Sequence, residues 1–126
     1  MTPSKIHLHK KTQTLDICYD NENFSLSAEF LRVHSPSAEV KGHAGHGGET
    51  PYGKRGVRIE KLEMTGNYAI QIFFDDGHSS GLYSWKYLHE LCTNQQALWQ
   101  GYLDKLHVMQ KSRDKDTSVV TLFPAS

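Results

Sequence analysis

The sequence predicts an α+β fold: a twisted, mostly antiparallel sheet built from hairpins, with two short helices and a longer C-terminal helix packed on it. Three patterns carry that reading. Polar and apolar residues alternate in several short runs, the signature of half-buried strands, and acidic or glycine-containing turns separate the runs. Two runs end on a serine, Ser27 and Ser84, each followed by an aromatic–leucine pair at the start of a helical pattern. Residues 94–111 then repeat Leu98, Tyr102, Lys105-Leu106 and Met109 at three- and four-residue intervals, one apolar stripe of a helix.

In chain order, Lys5 to Lys10 alternates, and Thr14 to Tyr19 continues in the same mode. Asp20-Asn21-Glu22-Asn23 is a turn, because Asp and Asn tolerate turn dihedrals and bond locally to the backbone. Phe24-Ser25-Leu26 returns as a strand, and Ser27 caps a short helix from Ala28 to Val33. From His34 to Gly56 the pattern disappears into a long glycine-rich loop, ordered only where something holds it. Val57 to Leu62 alternates again, Gly66-Asn67 marks a turn, and Tyr68 to Phe74 is the most apolar run, expected at the sheet's centre. Asp75-Asp76-Gly77-His78 suits a tight hairpin turn, Ser80 to Tyr83 is the return strand, and Ser84 caps a helix from Trp85 to Cys92. Tyr19 to Leu31 and Phe74 to Leu88 thus repeat one plan: strand, acidic turn, short strand, serine cap, helix. The expected organisation is one domain over residues 1–112 and a flexible tail over 113–126.

Composition narrows the function. Lysines and arginines number 14 against 14 acidic residues, a balance that gives no reason to expect nucleic acid or an anionic membrane as partner. No apolar run has the form of a secretory segment or a membrane span, so the expected compartment is the cytoplasm. The two cysteines, Cys18 and Cys92, lie in apolar stretches without a CxxC pair and are expected as buried, reduced thiols. Eight histidines require metal binding to be weighed.

Gly48 to Arg55 nearly spells a phosphate-binding loop. Arg55 stands where a serine or threonine must hold magnesium, and a strand rather than a helix follows. His43 and His46, three residues apart on the glycine-rich loop, need further ligands to hold an ion. No serine elbow or activated cysteine appears, and turn chemistry accounts for Asp75-Asp76-Gly77, so the expectation is that the chain is not an enzyme.

Three segments together carry a resemblance. They are Phe30 to Val40, Gly53 to Val57, and Gly66-Asn67-Tyr68-Ala69 running on through Asp75-Asp76-Gly77-His78 to Trp85-Lys86-Tyr87-Leu88. Over about residues 5 to 93 the chain resembles the stand-alone bacterial form of the gamma-butyrobetaine hydroxylase-like N-terminal domain family. In the hydroxylase this domain precedes an oxygenase dependent on iron and 2-oxoglutarate, and it carries a structural zinc held by a Cys-Pro-Cys-x-x-Cys run and a later histidine. Here Ser35, Ser37 and Val40 occupy the cysteine positions and His78 the histidine position. The resemblance implies the fold, argues against the zinc, and does not carry over the oxygenase chemistry. A similar domain fused to iron–sulfur cluster carriers implies, by association, a place near iron or iron–sulfur proteins.

The resulting expectation is a non-catalytic binding or accessory module with a protein partner, an oxygenase or an iron–sulfur carrier. Its contact surface would comprise Arg32, His34, Lys54, Arg55, His78 and Trp85. Arg32, His78 and above all Trp85 have the plainer alternative of capping and packing the sheet. A second expectation is iron bound through His34, His43, His46 or His78, and a third is an uncharacterised enzyme, which would need a deep pocket around His78.

Overall fold

A computed structural model describes residues 1–37, 49–79 and 81–115. The first three strands, β1 (Lys5–His9), β2 (Thr14–Cys18) and β3 (Asn23–Ser27), form an antiparallel meander, and α1 (Ala28–Val33) follows directly. A second meander of β4 (Ile59–Thr65), β5 (Ala69–Phe74) and β6 (Leu82–Ser84) leads directly into α2 (Trp85–Thr93), and α3 (Gln95–Met109) closes the series. The repeat visible in the sequence is therefore a repeat of topology. Each meander ends on a serine whose hydroxyl accepts the N–H three residues on, Ser27 from Phe30 at 3.0 Å and Ser84 from Tyr87 at 3.1 Å. Such a cap satisfies one of the free amides of the first helical turn and contributes about 1 kcal/mol.

The fold is α+β as expected, but the strands divide into two three-stranded sheets rather than one. The serine cap turns the chain out of β3 into α1, so β3 does not pair with β4. Gln13 joins the two halves instead. Its backbone carbonyl accepts from Ala28 N at 2.9 Å, and its side-chain oxygen accepts from Ile59 N at 2.6 Å. The apolar Tyr68–Phe74 run does become a central strand, β5 of the second sheet.

One core unites both halves. Leu15, Ile17 and Leu26 from the first sheet meet Ile70, Ile72, Phe74 and Tyr83 from the second, together with Phe30 and Leu31 of α1 and Leu88 and Leu91 of α2. Strand periodicity fixes which residues enter it: Leu15 and Ile17 point inward, so Cys18 falls on the outer side of β2 and is only half-buried, contrary to its expected burial. Cys92 is buried as expected, and burial pushes its thiol up to about 12. A smaller cluster of Val33, Tyr102 and Leu106 fastens α3 to the end of α1. Among the described residues, no helix is long and apolar enough to cross a membrane.

Candidate functional site

The end of α1 and the β5–β6 hairpin meet in a cluster of polar side chains. Arg32, in the last turn of α1, is buried and donates through Nε to Asp76 Oδ2 at 2.8 Å. Lys54 Nζ reaches the same oxygen at 2.6 Å, and Asp76 Oδ1 accepts the His78 backbone N–H at 3.0 Å. Burial pushes the Asp76 carboxyl upward, but the hydrogen bonds from Lys54, His78 N–H and Arg32 outweigh it and hold the group at about 2. Below this cluster, Ser35 Oγ and His78 Nε2 lie 2.8 Å apart, with Ser35 fully buried. Two tyrosine hydroxyls complete the seam, Tyr83 donating to the Leu31 carbonyl and Tyr87 to the His34 carbonyl at 2.6 Å. These groups lock one helix end to one hairpin.

A second construction holds residues 49–56. Gly53 N donates to Ser112 O at 2.8 Å and Arg55 N to Arg113 O at 2.9 Å, so the stretch after α3 runs beside this segment. Gly53 takes φ +68°, and a Cβ there would stand 3.4 Å from the backbone of Lys115, so glycine answers both the turn and the close approach. Side chains reinforce the backbone. Arg55 pairs with Asp114, Tyr102 donates to the Pro51 carbonyl at 2.7 Å, and Lys111 lies over the Tyr52 ring. Arg113 anchors the brace in turn, binding buried Glu29 through Nε at 2.8 Å and Nη2 at 2.6 Å and lying over Trp99. Arg113 and Asp114 are thus part of the domain's hydrogen-bonded body.

The model of the gamma-butyrobetaine hydroxylase-like N-terminal family matches residues 6–89, which include both meanders and the Arg32–Asp76 lock. The chain belongs to that family. Two proteins solved in solution by NMR share the fold through nearly their whole length. One is 50% identical, with 97% of each chain covered and a TM-score of 0.82. The other is 40% identical, with 97% of this chain and 92% of that chain covered and a TM-score of 0.77. A crystal structure of a protein of unknown function from Acidithiobacillus ferrooxidans, assigned to the DUF971 family, is 28% identical over 71% of this chain and 91% of that one, with a TM-score of 0.59. No curated protein matches the chain.

The family resemblance raises the question of a zinc at Ser35, Ser37 and His78, and the side chains do not fit one. Two ligands on a tetrahedral zinc, each about 2.0–2.1 Å from the ion, stand about 3.4 Å from one another. Ser35 Oγ and His78 Nε2 are 2.8 Å apart, a direct hydrogen bond with no place for an ion between them. A Cβ at Gly81 would fall 2.5 Å from Ser35 Oγ and 2.9 Å from the Pro36 ring, so the surrounding backbone is closed down on the pair. Ser37 is buried with its hydroxyl unpartnered among the described residues. The hydrogen bond tethers the same two segments that a metal would tether.

The six residues expected on a contact surface separate into three groups. Arg32, His78 and Trp85 are buried, the last donating from its indole to the Asn67 carbonyl at 2.6 Å. Lys54 and Arg55 belong to the braced segment. His34 is half-buried, its Nδ1 2.9 Å from the Phe30 carbonyl; burial keeps the imidazole below its ordinary value against the pull of the Phe30 and Leu98 carbonyls. Of the expected metal ligands, His34 and His78 are not brought together with further donors, and no group of three His, Cys, Asp or Glu side chains among the described residues is placed to hold an ion. His43, His46 and Val40 lie outside the described residues. Sequence reading missed Asp76 as the hub and Glu29, Arg113 and Asp114 as the brace.

Proposed function

We propose that this chain is a non-catalytic binding module that presents residues 49–56 to a partner protein as a preformed recognition segment. The observation that carries the reading is the brace. A segment without regular structure gains nothing from helix or strand hydrogen bonds, and fixing it costs about 1–2 kcal/mol per residue. Here a second segment, an ion pair and a tyrosine hydroxyl fix it, while Tyr52 remains 51% exposed and Arg55 lies on the surface. Preordering a loop in this way removes an entropic cost from association, and exposed aromatic and arginine side chains are the residue types that anchor interfaces. The titratable side chains Arg32, Lys54 and Asp76 serve one another as partners, and the His78 ring pairs with the Ser35 hydroxyl, which supports a structural rather than a chemical role for them.

The family resemblance suggests an iron-dependent oxygenase or an iron–sulfur carrier as the partner, and the proposed compartment is the cytoplasm. Affinity capture from the native cell tests the reading, comparing the wild-type chain with the double variant Tyr52→Ala, Arg55→Glu. The expected result is one stoichiometric partner that the variant loses while keeping its circular dichroism. Equal retention by both proteins, or no stoichiometric partner, sinks it. Metal analysis of the captured complex then separates an iron-containing partner from one without iron.

A further inference from the structure

An open cleft of about 280 Å³ lies between the end of α1, the stretch Thr50-Pro51 and α3. Val33, Pro51, Leu98 and the Tyr102 ring line it, and Ala97 and Gly101 contribute the α3 side. Gly101 has open space where a Cβ would stand, so helix backbone is exposed to the cleft. The remaining described lining residues are His34, Thr50 and Lys105, and none of the described lining is acidic. Two of the polar groups are already engaged: the Tyr102 hydroxyl donates to Pro51 O, and His34 Nδ1 lies against Phe30 O. Two are not. Lys105 Nζ and the Thr50 hydroxyl form no hydrogen bond or ion pair with any described residue.

We propose that this cleft is a binding site for a small monocarboxylate with a short alkyl chain or a single aromatic ring. Its apolar body would lie along Ala97, Leu98 and Gly101, with its carboxylate on Lys105 Nζ and the Thr50 hydroxyl. Three features select that chemistry. The lining is mainly apolar, which takes a hydrocarbon body out of water. Among the described residues its one fixed charge is the Lys105 cation, which has no ion-pair partner there and so favours an anion and disfavours an amine. Its volume stands near the lower end of the range that holds small ligands, which excludes a long chain or a nucleotide. Thr50 and Pro51 belong to the braced segment, so the cleft rests on that segment being ordered; Tyr52 and Arg55, its proposed partner anchors, are not among the lining residues, so ligand binding and partner capture are read by separate experiments.

Amide-correlated NMR of the uniformly labelled chain, titrated with hexanoate and phenylacetate and with hexanol and 2-phenylethanol as uncharged counterparts, tests the proposal. The expected result is a saturable perturbation centred on Thr50, Leu98, Gly101 and Lys105, with a dissociation constant on the order of a millimolar for the acids. The alcohols should bind at least about threefold more weakly, as expected for loss of a charge-assisted contact. Gly101→Leu should abolish binding of acids and alcohols alike by filling the cleft. Lys105→Met, at an exposed position, should leave the fold intact and remove the preference for the acids. Absence of a saturable perturbation, equal binding of acid and alcohol to the wild type, or an unchanged preference in Lys105→Met overturns the proposal.

Discussion

Ser35→Ala probes the seam that stands where the family's zinc would be. Ser35 is fully buried and its Oγ lies 2.8 Å from His78 Nε2, so alanine puts a methyl group against a buried ring nitrogen. Removing one partner of a buried hydrogen bond costs about 1–3 kcal/mol, because the other partner keeps its desolvation penalty; for a domain of this size that lowers Tm by roughly 4–12 °C. Ser37 supplies the internal control. It too is buried, but its Oγ has no partner among the described residues, so Ser37→Ala removes a desolvated hydroxyl and should be neutral or stabilising by up to about 1 kcal/mol. Urea and thermal unfolding followed by circular dichroism read both variants and the wild type, with and without metal chelator. The reasoning predicts opposite signs for two serines two positions apart. Equal effects, or a wild-type Tm that falls on adding chelator, refute it.

Three further outcomes follow from the same contacts. Deleting residues 112–126, or changing Arg113→Ala alone, should destabilise the domain by about 2–4 kcal/mol in urea unfolding, since buried Glu29 (side chain 7% exposed) loses a bidentate partner that is itself partly exposed; a change below about 0.5 kcal/mol would show the brace to be ornamental. Asp76 has its folded pKa depressed from 3.8 to about 2, so its contribution is present above 3.8 and is lost as pH falls toward 2; allowing for partial solvent screening, about 1–2 kcal/mol should disappear in that window, and Asp76→Asn should flatten it. Gly101→Ala should stabilise the protein by about 0.5–1 kcal/mol by thermal melting, because it raises helix propensity at a position where the new Cβ meets nothing within 4 Å; a loss of stability would mean that α3 depends on glycine there for another reason.

Local chemistry was legible in the sequence. Ser27 and Ser84 announce helix starts because a cap bonds only three residues onward, and both caps form. The alternation in Thr14–Cys18 set Leu15 and Ile17 inward, and Cys18 departed from its expected burial because the same alternation turns it outward. The seam and the brace were not legible, because their partners are distant: Arg32 and Asp76 are 44 positions apart and Glu29 and Arg113 are 84 apart. Nothing in local spacing couples such pairs; the two-meander topology brings them together. Asp76 looked like turn chemistry and is turn chemistry, with Oδ1 on the His78 amide. Its second oxygen, on Arg32 and Lys54, is what the pattern could not show.

Residue-resolved hydrogen exchange on the free protein tests most directly whether residues 49–56 form a preordered recognition segment. The Gly53 and Arg55 amides, bonded to Ser112 O and Arg113 O, should exchange at least about a hundredfold more slowly than in an unstructured peptide. Arg113→Ala should return both to near the unprotected rate. Free-peptide exchange at these two amides in the wild-type protein would contradict the account.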